Sequence, residues 1–339
     1  MNIIAAIIVL GIIIFIHELG HFLTAKFFKM PVSEFSIGMG PQVYSYDTMK
    51  TTYSFRAIPI GGFVNIEGME VDSDVEDGFN SKPPLARFVV LFAGVFMNFL
   101  LAFSIIFVML NISGKVIQSN QPVIGTVLAE SKGSKVIFPK DKIIKIDGQY
   151  VKEWSDIGRI LQGAKPEDPI AVELEREGKV ENVSLELTHE PESNRYIVGI
   201  LPEYHIEKYT IGEAAKASLM SFKRIFTDTL SGLKMIVSGK VKSEEISGPI
   251  GIIKVVGDAS REGIGILVWL TALLSVNVGI LNLMPLPALD GGRIIFVILE
   301  LIGIKVDKKF EERLHTGGMI VLFAFIIYIS ANDIFNLAR

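Results

Sequence analysis

Hydrophobic residues along this chain are concentrated in four long segments rather than spread evenly. A helix needs about 20 mostly apolar residues to cross the hydrocarbon core of a bilayer. Backbone groups in lipid must be paired, and these segments are too long for barrel strands, so helices are expected. The predicted transmembrane helices run from Ile3 to Phe28, from Phe88 to Ile112, from Ile264 to Leu289 and from Thr316 to Asn332.

The region between the second and third predicted spans has a different pattern. From Ser113 to Tyr204 it is more polar and carries short alternating runs that break at glycines, which is typical of β-strands. The pattern predicts a β-rich domain inserted between membrane helices. The candidate strands are Val123 to Leu128, Ile143 to Ile146, Ile170 to Leu174 and Val183 to Leu187.

A helical pattern follows between Gly212 and Gly239. The apolar residues that recur there at three- or four-residue steps share one face, namely Ala215, Leu219, Phe222, Phe226, Leu230, Leu233 and Val237. Because basic residues occupy the rest of the surface, the helix is expected either in the membrane interface or packed on the β-rich domain. The predicted organisation is a first membrane half at 1–112, the β-rich domain at 113–205, this helix with a linker at 206–262, and a second membrane half at 263–339.

The overall composition agrees with a membrane protein. Half of the 339 residues are hydrophobic, 21% are charged and the mean hydropathy is +0.45, which argues against a soluble enzyme. The formal net charge of -4 gives no reason to expect nucleic acid as a partner. The sequence contains no cysteine, which excludes disulfides, thiolate zinc sites and cysteine nucleophiles.

The distribution of basic residues predicts the orientation in the membrane. Lysine and arginine are concentrated between the first and second spans and between the third and fourth, and none precedes the first span. Loops rich in these residues stay on the cytoplasmic side. We therefore expect a multi-pass protein of the cell membrane, with its active site towards the cytoplasmic side and with both termini and the β-rich domain outside the cytoplasm.

The first span is interrupted by the polar motif His17-Glu18-Leu19-Gly20-His21. Residues four apart share a helix face, so both imidazoles can bind one Zn²⁺ while Glu18 lies beside it as a general base. Zinc makes water easier to deprotonate, and the glutamate can take that proton and deliver it to the leaving amine. Ionisable residues in an apolar span are costly unless they bind or react, which favours this function over a chance match.

A catalytic zinc takes three protein ligands and leaves one position open. The candidate third ligand is Asp290, at the end of the third span in a segment interrupted by prolines and glycines, Asn282 to Gly292. Helices broken by proline are tolerated at membrane depth where their backbone lines a protein or water cavity. The alternative interpretation of Asp290 is a helix cap next to a glycine turn.

These two motifs together resemble the site-2 proteases, the intramembrane metalloproteases of regulated intramembrane proteolysis. The resemblance implies a polytopic α-helical membrane protein of about four transmembrane helices with an inserted β-rich, PDZ-like domain. It implies zinc ligands at His17, His21 and Asp290, with Glu18 as the catalytic residue. The substrate contacts that it implies are Asn277, Asn282, Pro285 and Pro287.

The resemblance extends to the segments next to the two motifs. The stretch from Gly61 to Asn65 looks like the membrane-associated β-hairpin of the family, which implies substrate contacts at Gly61, Gly62 and Phe63. The stretch from Phe92 to Asn98 is similar to the second-helix motif of the family, although Val95 stands where proline is usual.

Further matches lie outside the membrane helices. The β-rich domain resembles a single PDZ domain at Ile124 to Val127 and at Asp141 to Gly148, and Ser247 to Gly251 also matches the family.

The activity implied by this resemblance is hydrolysis of peptide bonds within transmembrane segments of single-span membrane proteins, such as anti-sigma factors or remnant signal peptides. The lipid bilayer and a peptide or protein ligand of the PDZ-like domain are further expected partners. An intramembrane metal carrier and an inactive PDZ membrane scaffold are the alternatives. Glu18 distinguishes them, because a carrier has no need of a glutamate between two ligands, whereas hydrolysis requires a base.

Overall fold

The hydrophobic segments form helices in the computed structural model, which describes residues 2–70, 73, 75–161, 168–190, 195–241, 247–304 and 306–338. The helices among the described residues are α1 (Asn2–Phe27), α2 (Pro84–Ser113), α3 (Trp154–Leu161), α4 (Ile211–Val237), α5 (Pro249–Glu262), α6 (Ile264–Leu283), α7 (Asp290–Leu301) and α8 (Lys308–Ala338). The strands are β1 (Val32–Asp47), β2 (Thr52–Ile66), β3 (Lys115–Gln118), β4 (Ile124–Val127), β5 (Lys142–Ile146), β6 (Gln149–Tyr150), β7 (Ile170–Arg176), β8 (Lys179–Leu185), β9 (Thr188–Glu190), β10 (Arg195–Ile197), β11 (Ile200–Pro202) and β12 (Tyr204–Glu207).

Four helices in the described part of the chain are long and apolar enough to cross a membrane. They cover Ile3–Phe27, Pro84–Ser113, Ile264–Leu283 and Lys308–Phe335. The four predicted spans are confirmed, and the chain is a multi-pass membrane protein.

The third membrane helix is shorter than the sequence analysis predicts. Helix α6 ends at Leu283 instead of Leu289, and Met284 has an extended backbone with ψ of 145°. The residue before a proline is driven out of the helical region, which accounts for the break before Pro285. The residues that follow form a turn leading directly into α7.

The membrane helices approach one another closely at glycines. A Cβ atom added to Gly20 of α1 would lie 2.4 Å from the carbonyl oxygen of Ala93 in α2. A Cβ atom added to Gly279 of α6 would lie 2.5 Å from the ring of Phe99, also in α2. Small residues allow this close packing in membrane helices. Helix α2 is continuous through Val95, the position at which proline is usual.

The amphipathic helix is present as α4, and its packed face matches the prediction in part. Its buried residues are Ala214, Ser218 and Ile225, whereas Leu219 and Val237, predicted on the packed face, are 60% and 82% exposed. Ile225 lies in one apolar cluster with buried residues of α2 and α6. The rings of Phe222 and Phe226 contact Phe99 of α2, and Leu233 packs against the same cluster. Helix α4 therefore lies against the membrane helices through large apolar side chains as well as small ones.

Strands β1 and β2 form a long antiparallel hairpin that contacts α1. At the base of the hairpin, the side chains of Val32, Phe35 and Ile66 are buried. The strands come so close that a Cβ atom added to Gly62 would lie 2.6 Å from the carbonyl oxygen of Ser36. The last residues of β2 lie next to the polar interruption of α1, because the Val64 N–H donates a hydrogen bond to Glu18.

The chain divides into two compact units, Met1–Leu110 with Ile211–Arg339, and Asn111–Thr210. The second unit is the β-rich domain, whose largest sheet is antiparallel with strand order β6-β5-β7-β8. Strands β3 and β12, near its two ends, pair with each other. The candidate strands are present as β4, β5, β7 and β8. The finer division into four segments stays a prediction.

Candidate metal centre

Helix α1 presents His17 and His21 on the same face, one turn apart. Both side chains are buried, and their Nε2 atoms lie 3.1 Å apart. The facing residue of α2 is Gly94, where an added Cβ atom would lie 2.4 Å from His21 Nε2. The four-residue spacing and the facing glycine together allow the two rings to converge.

Asp290 reaches the histidines from the first residue of α7, directly after the turn that follows α6. Its Oδ2 atom lies 3.0 Å from His17 Nε2 and 3.3 Å from His21 Nε2. The N-cap of α7 is Leu289, so the carboxylate does not cap this helix. The turn can fold tightly because Gly291 has no Cβ atom. A Cβ atom there would lie 2.2 Å from a backbone oxygen of the turn.

The three donors fit a zinc ion. Tetrahedral zinc with ligands at about 2.0–2.1 Å implies about 3.3 Å between ligand atoms. The observed separations are 3.0, 3.1 and 3.3 Å. The Oδ2 atom of Asp290 is buried and has no hydrogen-bond partner among the described residues. In that part of the chain, His17, His21 and Asp290 are the one group of three or more such residues that could hold a metal ion.

The charge of Asp290 suits a metal ligand. Burial by itself raises the pKa of Asp290, but the imidazoles of His21 and His17 outweigh that effect and hold the pKa below its ordinary range. The group is therefore an ionised carboxylate at neutral pH, as metal binding requires.

Both histidines have a polar partner at Nδ1, on the side away from Asp290. The Nδ1 atom of His21 lies 2.8 Å from the carbonyl oxygen of Val90 in α2, to which it can only donate. This bond leaves the Nε2 lone pair free for a metal. The Nδ1 atom of His17 lies 3.3 Å from Nδ2 of Asn98, also in α2.

The donors open onto a cavity of about 470 Å³. Its walls come from α1, the end of β2, α6 and the start of α7. Glu18 lies in the wall, and its Oε2 atom accepts a hydrogen bond of 3.1 Å from the Val64 N–H. The site therefore combines three metal donors, a carboxylate that is not one of them, and space for a chain segment.

A profile of peptidase family M50 matches residues 5–325. This chain belongs to peptidase family M50. The match runs from α1 into α8 and includes every donor of the site.

Relatives of this M50 peptidase align along nearly its whole length. A protein of Fusobacterium nucleatum is 53% identical over 337 residues and covers 99% of both chains. A protein of Clostridium acetobutylicum is 36% identical and covers 98% of this chain and 97% of its own. Both carry the provisional name zinc metalloprotease. The family resemblance inferred from the motifs is confirmed.

A solved structure is similar to part of this chain. The PDZ domain of an SdrC-like protein from Listeria monocytogenes is 19% identical, with 25% of this chain and 90% of that domain covered and a TM-score of 0.23.

Part of the predicted substrate-contact set of this M50 peptidase lies at the cavity. Phe63 and Asn282 line it. Gly61 and Gly62 directly precede Phe63 in β2. These residues and the donors are therefore brought together by the fold.

Other predicted contacts lie away from the cavity lining. Pro285 and Pro287 are in the turn after α6, and Pro287 packs against Gly318 of α8, where an added Cβ atom would lie 2.1 Å from it. Asn277 faces α4, because its Oδ1 atom accepts a hydrogen bond of 2.7 Å from Thr229. The structure does not bring Asn277 to the donors.

Three further residues surround the site. Arg293 and Val90 lie outside the sequence motifs, and Asn98 ends the stretch that is similar to the second-helix motif but has no predicted role in the site. Arg293, three residues after Asp290 in α7, lines the same cavity, and its guanidinium donates a hydrogen bond to the carbonyl oxygen of Met69 at 2.9 Å. Asn98 is a polar residue in a span without charged residues, and this contrast is the sequence signal that could identify it. Val90 contributes only a backbone carbonyl, and sequence patterns carry no signal for such a contact.

Proposed function

We propose that this M50 peptidase is an intramembrane zinc endopeptidase that hydrolyses peptide bonds within transmembrane segments of single-span membrane proteins, such as anti-sigma factors or remnant signal peptides. One observation carries the proposal. Two histidines and an aspartate converge beside a glutamate that is not one of the metal donors. The histidines and the glutamate lie in a helix that is long and apolar enough to cross a membrane. The names of the relatives support zinc as the metal.

Each residue of the site has a distinct task in this proposal. His17, His21 and Asp290 would hold zinc and leave one coordination position open. When bound, the ion supplies Lewis-acid chemistry that polarises the scissile carbonyl and makes water easier to deprotonate. Glu18 takes the proton of the attacking water and returns it to the leaving amine. The hydrogen bond from Val64 holds the glutamate in the cavity wall.

The end of β2 supports binding of the substrate as an extended strand. Phe63 and Val64 lie in the cavity wall next to Glu18. A strand that adds to another chain gains backbone hydrogen bonds, which suits a transmembrane segment that has unwound before cleavage. Asn282, on the other wall, offers both a donor and an acceptor to peptide groups that have lost their own partners.

The basic loops support the proposed orientation in the cell membrane. The loops between the first and second spans and between the third and fourth would be cytoplasmic, which places the active site towards that side and the β-rich domain outside. The PDZ-like motifs of that domain support a peptide or protein ligand bound by strand addition.

The full-length protein purified in detergent is expected to hold about one zinc ion per chain, because three ligands from two helices make one open tetrahedral site. Metal analysis alongside a cleavage assay measures this directly. Asp290→Asn should weaken zinc binding, and Asp307→Asn, outside the site, serves as its control. A well-folded preparation that cleaves substrate without zinc would reject the proposal.

Replacing Asn282 with alanine should lower cleavage of helical substrates much more than it lowers zinc occupancy. The side chain lies in the cavity wall but is not one of the three donors. Turnover, metal content and thermal stability are to be measured for substrates whose helices differ in stability.

Asn277→Ala is the matched control, because Asn277 lies in the same helix but bonds to α4. The Asn277→Ala substitution should change the thermal stability of the protein but not its preference among substrates whose helices differ in stability. An equal loss of stability and turnover in Asn282→Ala would reject the substrate contact.

A further inference from the structure

The side chain of Asn98 is enclosed within the membrane helices. It is 0% exposed in the middle of α2. Its Nδ2 atom lies 3.3 Å from His17 Nδ1, and its Oδ1 atom is buried without a hydrogen-bond partner among the described residues. Leaving a buried acceptor unpaired is unfavourable, so this amide oxygen requires an explanation.

Metal binding fixes which atom of His17 carries the proton. The Nε2 atom of His17 faces Asp290 and His21, so this is the atom that would ligate the metal. A neutral imidazole bound through Nε2 has its hydrogen on Nδ1, which then acts as a donor. The neighbour of Nδ1 must therefore be an acceptor, and an NH₂ group cannot accept.

Asn98 can meet this requirement without moving its backbone. Rotation of the amide by about 180° exchanges an oxygen and a nitrogen of nearly equal size. The oxygen then accepts the hydrogen of His17 Nδ1, and the NH₂ group takes the other position of the amide, so the metal-bound form of His17 is matched by an acceptor. The backbone of Asn98 is itself anchored, because its carbonyl oxygen accepts a hydrogen bond of 2.8 Å from Ser275 of α6.

The geometry of α2 repeats this arrangement at the other histidine. Val90, Gly94 and Asn98 are four residues apart and share one face of α2. The carbonyl oxygen of Val90 accepts a hydrogen bond of 2.8 Å from His21 Nδ1. Gly94 has no side chain and so leaves room for both rings. Asn98 lies next to His17, so one side of α2 contacts both histidines.

We propose that Asn98 is a positioning residue of the metal centre, whose side-chain oxygen accepts the Nδ1 hydrogen of His17 and so directs Nε2 to the metal. The proposal rests on the proposed function, since it assumes a metal at the three donors. Groups that orient histidine ligands in this way contribute about 10- to 100-fold in metal affinity.

The test compares Asn98→Leu with Asn98→Asp in the full-length protein in detergent. Leucine has a similar volume but no acceptor, and its zinc affinity against a competing chelator should fall about 10- to 100-fold. Aspartate can only accept, so it should keep most of the affinity. The absorption spectrum of the cobalt-substituted protein should be altered by leucine and remain native-like with aspartate.

Ser275→Ala is the control, because it removes the bond to the backbone of Asn98 and leaves the amide in place. It should leave the cobalt spectrum unchanged. Native zinc affinity in Asn98→Leu would overturn the proposal. An Asn98→Asp variant that no longer binds zinc would also overturn it, since that result would show that the amide acts as a donor. If the native protein binds no zinc, the proposed function itself fails, which is a distinct outcome.

Discussion

Replacing Glu18 with glutamine is expected to abolish peptide-bond cleavage while leaving the metal content unchanged. Glutamine has the same shape and can still accept the hydrogen bond from Val64, but it cannot take a proton from water. Loss of a general base lowers turnover by about 10²- to 10⁴-fold. Turnover of a transmembrane substrate and zinc content are to be measured on the same preparation.

The control for this experiment is Glu312→Gln, an exposed glutamate of α8. It should keep both activity and metal. The comparison also separates the alternative functions, because a metal carrier or an inactive scaffold does not depend on proton transfer by Glu18. Native turnover in a zinc-loaded Glu18→Gln variant would contradict its role as the base.

Replacing Gly94 with alanine is expected to abolish zinc binding. The added Cβ atom would lie 2.4 Å from His21 Nε2 and 2.8 Å from His17 Cε1, closer than Cβ atoms in real structures come to other atoms. Both rings would have to leave the position in which they face Asp290. Alanine favours helix formation over glycine by about 1 kcal/mol, so α2 itself is not weakened.

Zinc stoichiometry and thermal unfolding measure this prediction together. Gly265→Ala is the matched control, since an added Cβ atom in that part of α6 meets no atom within 4 Å. It should keep the native metal content. Native zinc content in Gly94→Ala would show that the rings do not occupy the positions described.

The main features that the sequence predicts depend on local patterns. The four spans follow from runs of apolar residues, and the convergence of His17 and His21 follows from helical periodicity. The break before Pro285 also has a local cause in proline stereochemistry, although the apolar pattern alone extends the span to Leu289. The meeting of Asp290 with the histidines joins two distant segments. The sequence offers Asp290 as a third ligand with a helix cap as the alternative, and the family resemblance favours the ligand.

The features that the sequence leaves open depend on packing between helices. The direction of Asn277 is set by Thr229 on α4, which periodicity in α6 cannot indicate. The buried residues of α4 include the small Ala214 and Ser218, which a pattern of large apolar residues does not mark, although close approach of helices favours small residues. The acceptor for His21 is a backbone carbonyl at Val90, and every residue type carries that group.

The most direct test maps the bond that is cut. The full-length protein and a single-span substrate are reconstituted together in liposomes, and the fragments are identified by mass spectrometry before and after zinc is removed. We predict a cut inside the hydrophobic segment that stops when zinc is chelated, returns when zinc is added and is absent with Glu18→Gln. Cleavage only outside that segment, or cleavage inside it that continues without zinc, would contradict an intramembrane zinc peptidase.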